Sequence, residues 1–431
     1  METTRVGPRG AGSETGARQA GAKAPPRRAE AGTRPRRAGW AALAAGLSAV
    51  VRSGGAGSGQ ASPLDRAALR RAVAGLPPGD VTGALVRVAG ADGHWWGTAG
   101  TGDVATGERV RADGVFRTGG IGALFTAALV LRLVGEGLLS LEAPVRAYLP
   151  DLLPGGPEGY DAVTVGMLLD HTSGFPGPRP PITEDGPPAG RTTERGSRFR
   201  TQEEAVRAVL RGGRAFEPGR YQRENDVDTW VAGLVVERAT GRPLGEEIRT
   251  RVTRPLGLHR THQPADGTAL VGRTRRDPAI RAEGGPVSTA ADLDRFLDAL
   301  LGGRLLGPAQ QRLLFELPGR DVTTLPGAGG TAAPEAPPHR FSRGGLMRVA
   351  LPDDGLSDDG RSDDGRSGGG TVVWGRVGAG PGYVNGLVAT RDRTRRLACS
   401  LTWAAPPGRS GERHVHDLIR AAFTAAPPDG R

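Results

Sequence analysis

Hydroxyl, imidazole and carboxylate side chains gather at a few points of this 431-residue sequence. His171-Thr172-Ser173-Gly174 sets two hydroxyls beside an imidazole, the materials of nucleophilic catalysis in which a base removes a hydroxyl proton. Glu224-Asn225-Asp226 places two carboxylates close together, and a carboxylate can serve as a general base. Gly365-Arg366-Ser367-Gly368-Gly369 has the Gly-x-Ser-x-Gly spacing of a nucleophile elbow, but that device needs a strand before it. Here it falls in Asp353–Gly370, a low-complexity stretch in which Asp-Asp-Gly occurs three times, so the match is read as chance. His414 and His416 are two apart on an amphipathic helix and face different ways, which argues against a shared metal. No HExxH or other zinc spacing exists, so neither metal nor cofactor is expected. Cys399 is the only cysteine; it can form no internal disulfide and reads as a small core residue.

The elements that must position such groups follow from periodicity. Asp65–Leu76 reads as a short helix and Val81–Val88 as a half-buried strand. Trp95-Trp96 fall in a turn or strand edge. Ile121–Gly137 is the strongest helix, with Leu124, Ala128, Leu131 and Val134 at helical spacing and Gly137 at its end. Further helices are read at Val163–Leu169, Gln202–Leu210, Asp228–Ala239 and Thr289–Leu301, the last capped by Ser288 or Thr289. Pro176–Arg198 and Leu317–Pro338 read as loops. Val372–Trp374, Tyr383–Thr390 and Leu397–Trp403 read as strands, and His414–Phe423 as a terminal amphipathic helix. Strands at both ends with helices between them imply an antiparallel sheet closed by its termini.

Composition bounds the function classes. Hydrophobic content of 37% with 24% charge suits a globular protein. The net charge of +11 is concentrated in residues 1–52, where ten Arg or Lys stand against three Glu. No basic helix interleaved with aromatics follows, which argues against a nucleic-acid partner. Arg36-Arg37 precede a weakly apolar run, Gly39–Val51, and then small residues, an order similar to an export signal. The run is too short and too Gly/Ala-rich for a stable membrane span. The expected location is therefore extracellular or on the cell-wall side, or cytoplasmic if the leader does not function.

Five segments together resemble the class C β-lactamases and D-alanyl-D-alanine carboxypeptidases, a family of penicillin-binding-protein-like serine hydrolases. They are Phe116-Arg117-Thr118-Gly119-Gly120-Ile121-Gly122-Ala123 running into Val134–Leu141; Thr164–Gly174, ending Asp-His-Thr-Ser-Gly; Pro218-Gly219 through Asp226 to Gly233; Gly284-Gly285 through Ser288 to Leu293; and Trp374–Tyr383. The resemblance covers roughly residues 65–425. It implies an α/β (α+β) fold: an antiparallel sheet flanked by helices, plus an all-helical domain, with the site between them. The expected organisation is a basic leader at 1–62, the β-lactamase-like domain at 63–425 with its helical insertion at about 140–290 and a loop at about 353–370, and a tail at 426–431.

Family chemistry is acyl transfer through a serine ester, with a Ser-x-x-Lys pair opening the central helix. The resemblance puts Gly120 at the Ser position and Ala123 at the Lys position. Lys23, in the leader, is the only lysine of the chain. Arginine cannot replace it, because a guanidinium does not deprotonate in proteins. The Tyr-x-Asn element falls on Glu224-Asn225-Asp226, and the Lys-Thr-Gly or His-x-Gly element on Arg376-Val377-Gly378. In the family His171–Gly174 is a structural turn. Thr118 precedes the helix with no evident base. Backbone N–H groups of Gly120 and Ala379 remain as oxyanion donors, and Arg376 as a cation for a ligand carboxylate. Glu224 is expected to pair with Arg376, Asp226 nearby. The expectation is a monomeric pseudoenzyme whose cleft (Gly120, Glu224, Asp226, Arg376, Gly378, Ala379) takes peptidoglycan-like peptides or small carboxylates. The alternative is a still-active carboxypeptidase, β-lactamase or esterase working through Glu224, Asp226 or another hydroxyl.

Overall fold

The computed structural model describes residues 64–76, 81–91, 93–103, 106–156, 159–177, 201–263, 286–319, 321–325, 340–351, 371–380, 382–403, 414 and 418–423. The leader with Lys23, the elbow-like Gly365–Gly369 stretch, His416 and most of both expected long loops lie outside these residues.

The strands are β1 (Val81–Gly90), β2 (Gly93–Asp103), β3 (Glu108–Arg109), β4 (Phe116–Arg117), β5 (Tyr221–Gln222), β6 (Val287–Ser288), β7 (Thr323–Thr324), β8 (Arg340–Phe341), β9 (Met347–Leu351), β10 (Thr371–Gly380), β11 (Tyr383–Thr390) and β12 (Arg395–Trp403). The helices are α1 (Arg66–Ala74), α2 (Gly122–Gly135), α3 (Val145–Tyr148), α4 (Val165–Leu169), α5 (Gln202–Leu210), α6 (Asp226–Thr240), α7 (Leu244–Ile248), α8 (Ala290–Leu301) and α9 (Pro308–Leu313). Eight strands form one sheet in the order β3-β2-β1-β12-β11-β10-β9-β8. β1 pairs antiparallel with β12, Val86 opposite Cys399, so the sheet is closed between the two ends of the chain as the strand placement requires. Cys399 is fully buried there.

α2 is apolar on nearly every side, and a helix of that kind has to be interior. Leu124 through Leu131 are all buried. Phe125 stacks on Phe296 of α8, ring centroids 3.9 Å apart and 8° from parallel, which locks the central helix to the helix covering the sheet. α8 is capped by Thr289, whose hydroxyl accepts from Asp292 N at 3.1 Å. Its buried Asp294 is held by Arg87 at 3.0 Å and Arg396 at 2.6 Å, cations carried on β1 and β12. The helix layer is thereby fixed to the middle of the sheet.

One strand differs from the sequence reading. β10 is ten residues long where Val372–Trp374 is expected. Gly375, Gly378 and Gly380 weaken the strand signal, yet close approach demands the first two: a Cβ at Gly375 would sit 1.9 Å from Leu387 O, and one at Gly378 2.5 Å from Gly120 N. Of the two alternatives for Trp95 and Trp96, the turn is not found: they lie in β2 opposite Val88 and Arg87 of β1, on a stretch that β3 does not pair, and so at a strand edge. α2 is also preceded by a 3-10 turn, Gly119–Ile121, which the helical period does not reveal.

Phe125→Ala empties the stack that joins α2 to α8 and is expected to cost about 3–5 kcal/mol, read as a lowered urea midpoint. Leu138→Ala, at a site 46% exposed, is expected to stay within about 0.5 kcal/mol.

Candidate functional site

The 3-10 turn and the start of α2 meet β10 at two glycines. A Cβ on Gly378 would fall 2.5 Å from Gly120 N and 2.6 Å from Ile121 N; one on Gly120 would fall 3.0 Å from Gly378 Cα. The two backbones touch because neither residue carries a side chain. Ala379, the residue after Gly378, pairs with Val384 on β11. The two expected oxyanion donors therefore sit on the two segments that this contact joins.

One helical turn along α2, Ala123 lines a small cavity with Thr126, Thr229, His171 and Arg376. It has room for about one water molecule. Arg376, on β10, is only 2% exposed. Its Nη2 donates to Glu224 Oε1 at 3.1 Å and its Nη1 lies 3.2 Å from His171 Nε2. The guanidinium carbon stands 4.8 Å from the centre of the Phe341 ring, and His171 meets the same ring edge-on. The expected Glu224–Arg376 pair is present. Asp226 lies in the field of Arg376, but among the described residues no ion pair joins them.

The network continues inward. A guanidinium only donates, so His171 Nε2 accepts and the ring proton is on Nδ1. Nδ1 then donates to Asp228 Oδ2 at 2.9 Å. Ser173 Oγ donates to the other oxygen, Asp228 Oδ1, and accepts from Phe175 N at 3.0 Å. Burial, reinforced by the Arg376 charge, holds the His171 imidazole well below its ordinary value, so it is neutral. Burial pushes the Asp228 carboxyl well up, opposed by the Ser173 hydrogen bond. Glu224 is raised by burial against the pull of Arg376, and Asp226 likewise.

This order settles what the hydroxyls can do. Ser173 bonds the carboxylate rather than the imidazole, and the imidazole's free nitrogen is taken by Arg376, so Ser–His–Asp logic does not apply. Thr118 is fully buried and donates to Pro286 O at 2.7 Å. His171 itself adopts φ of +60°, sparsely populated for a side chain of its size. Its two ring contacts hold it there. Gln222 clamps the turn from behind, donating to Asp170 O at 2.7 Å and Phe341 O at 2.8 Å. Both terminal nitrogens of Arg376 are engaged, by Glu224 and by His171, while its Nε is buried with no hydrogen-bond partner among the described residues. Among the described residues no group of three His, Cys, Asp or Glu could hold a metal ion, and no helix is long and apolar enough to cross a membrane.

Sequence reasoning finds Gly120, Ala123, Glu224, Arg376 and Gly378, which the structure brings together. It misses His171 as a partner of Arg376 and Asp228 as a partner of His171. Asp228 is 57 residues from His171 and sits within an ordinary helix start, so no local pattern signals the contact.

Residues 66–400 match the family model described as Beta-lactamase, and the chain belongs to that family. It is 33% identical over 156 residues to penicillin-binding protein 4 of Amycolatopsis lactamdurans, covering 36% of this chain and 38% of the relative. It is 35% identical over 168 residues to esterase EstB of Burkholderia gladioli, covering 37% and 41%. The matches thus span about two fifths of these relatives' own length. Among solved structures, a D-stereospecific amidohydrolase from Streptomyces sp. is similar with a TM-score of 0.62 at 28% identity, over 83% of this chain and 98% of that one. D-amino acid amidase from Ochrobactrum anthropi SV3 shares the fold, with a TM-score of 0.60 at 18% identity over 82% and 98%.

The turn behind the site carries a pH signature. Burial raises the Asp170 carboxyl from 3.8 to about 6, against hydrogen bonds from Thr172. Its folded value lies above its unfolded one, so its contribution is full below about pH 4 and is lost as pH rises through about 6. The rise corresponds to about 3 kcal/mol. Asp170→Asn keeps an acceptor for Thr172 and removes the charge. Relative to the parent, the variant is expected to gain stability between pH 4 and 7, measured as the difference in urea-unfolding free energy.

Proposed function

We propose that this beta-lactamase-family protein binds a ligand in the family's cleft without forming an acyl-enzyme. The observation that carries the reading is the start of α2. Gly120 has no atom with which to attack a carbonyl, and its backbone is closed against Gly378. Ala123 offers no amine, and the space beside it is bounded by Arg376, a cation that does not exchange protons. The nearby hydroxyls of Ser173 and Thr118 are buried and bonded elsewhere. Backbone donors at Gly120 and Ala379 would still orient a ligand carbonyl. The relatives are named as an esterase, penicillin-binding and carboxypeptidase proteins and D-amino acid amidases. This supports small D-configured amides or peptides as the ligand class. Export by the Arg36-Arg37 leader would put the cleft where such peptides occur.

A second reading rests on Glu224. Its side chain is 25% exposed, and a carboxylate raised by burial can act as general base toward water. Direct hydrolysis of that kind needs no acyl-enzyme.

Incubation with a labelled penicillin and with a fluorophosphonate, followed by intact-mass measurement, is expected to give no adduct. An adduct on a Ser or Thr of the cleft overturns the proposal. Turnover of D-phenylalanine amide that is lost in Glu224→Gln would establish the second reading instead. Restoring side chains tests the register. Gly120→Ser with Ala123→Lys alone is expected to remain unlabelled, because the new ammonium faces Arg376. The same pair with Glu224→Tyr and Arg376→His is expected to label.

A further inference from the structure

We infer that the cavity beside Ala123 is a binding site for one internal water molecule, held between Arg376, Thr126 and Thr229. The site takes a small neutral molecule that both accepts and donates hydrogen bonds. It stands whether or not the cleft beside it binds a ligand.

Three buried polar side chains border this cavity with hydrogen-bonding capacity unfilled. Arg376 is 2% exposed. Its two terminal nitrogens are taken by Glu224 and His171. Nε, the remaining donor, is buried with no hydrogen-bond partner among the described residues, and an interior N–H left that way is uncommon and costly. Thr126 on α2 and Thr229 on α6 are 2% and 7% exposed. On a helix a threonine hydroxyl often donates to the carbonyl four residues earlier, as Thr240 does to Val236 O at 2.9 Å. Among the described residues the hydroxyls of Thr126 and Thr229 have neither that bond nor another. His171 borders the same space, but both of its ring nitrogens are engaged.

The room is that of about one water, and a buried water needs two to four polar partners. Here there are three, contributed by α2, α6 and β10. Water can accept from Arg376 Nε and from one threonine and donate to the other. Other occupants fit less well. A cation would enter beside the Arg376 guanidinium. An anion would share that guanidinium with Glu224, already 3.1 Å from it. An apolar occupant would leave Nε and both hydroxyls without partners. Ala123 is small enough to leave the space, and the water steadies Arg376 against the two helices behind it.

Crystals of the full chain test the inference. Ordered density for one water is expected within hydrogen-bond distance of Arg376 Nε and of at least one of the two threonine hydroxyls. Crystals grown in bromide or pressurised with xenon are expected to show no anomalous peak in the cavity. A bromide or xenon peak there, or no ordered density, overturns the inference. A matched pair of variants gives a solution measurement. Ala123→Thr brings a hydroxyl able to replace the water, whereas Ala123→Val has nearly the same shape and helix propensity but only methyl groups. The valine variant is expected to unfold at a lower urea midpoint than the threonine variant. Equal midpoints, or a higher one for valine, overturn the inference. If neither variant folds, Thr229→Ser and Thr229→Val replace them: serine is expected to keep the water, and valine to lower the midpoint below that of serine. Loss of the water in the serine variant, or a valine midpoint at or above that of serine, overturns the inference.

Discussion

A guanidinium buried under a β-sheet is the constraint around which this molecule's cleft is arranged. Arg376 cannot shed its proton, and an unpaired interior cation is costly. Three neighbours answer that requirement, and Nε alone is left buried without a hydrogen-bond partner among the described residues. Glu224 supplies the countercharge, His171 stays neutral and offers a lone pair, and Phe341 gives its ring face. His171 can do so only because Asp228 takes its other nitrogen, and Asp228 is in turn steadied by Ser173. Removing one partner of such a network typically costs about 3–5 kcal/mol. Groups that look like a catalytic set in the sequence are spent on holding one charge.

The second constraint is steric. β10 approaches the start of α2 closely enough that Gly120 and Gly378 leave no space for side chains between them without a shift. The approach brings the Gly120 and Ala379 backbones to one place, and a Cβ on Gly120 would meet Gly378 Cα at 3.0 Å, so a side chain there asks its neighbour to give by a few tenths of an ångström. Ala123 leaves a gap of about one water beside Arg376, far less than an extended amine chain fills. Glycine at 120, alanine at 123 and the Glu224–Arg376 pair are thus mutually compatible at this junction. They leave the core alone, since α2 and α8 pack through Phe125 and Phe296.

Much of the fold was legible from local chemistry. α5 and β11 fall where periodicity puts them, and Thr289 caps α8 as its Ser-Thr start implies. The β1–β12 closure follows from strands at both chain ends. What was illegible locally has a common cause. β10 is hidden by glycines that exist for close approach, and Trp95-Trp96 are strand residues in a Gly-rich run without clean alternation.

The sequence alone determined which atoms are missing. A glycine at 120, an alanine at 123 and a single distant lysine are facts of composition and register, and covalent chemistry needs atoms that are there. Through the family resemblance it also implied that Glu224 and Arg376 stand where a phenol and an exchangeable base are expected. Only the tertiary structure decided what those replacements do. His171 and Asp228 are 57 residues apart, and His171 and Arg376 are 205 apart. Whether a charge is free for a ligand or sealed in a network depends on burial and partner geometry, which arise when distant segments pack and are written at no single position.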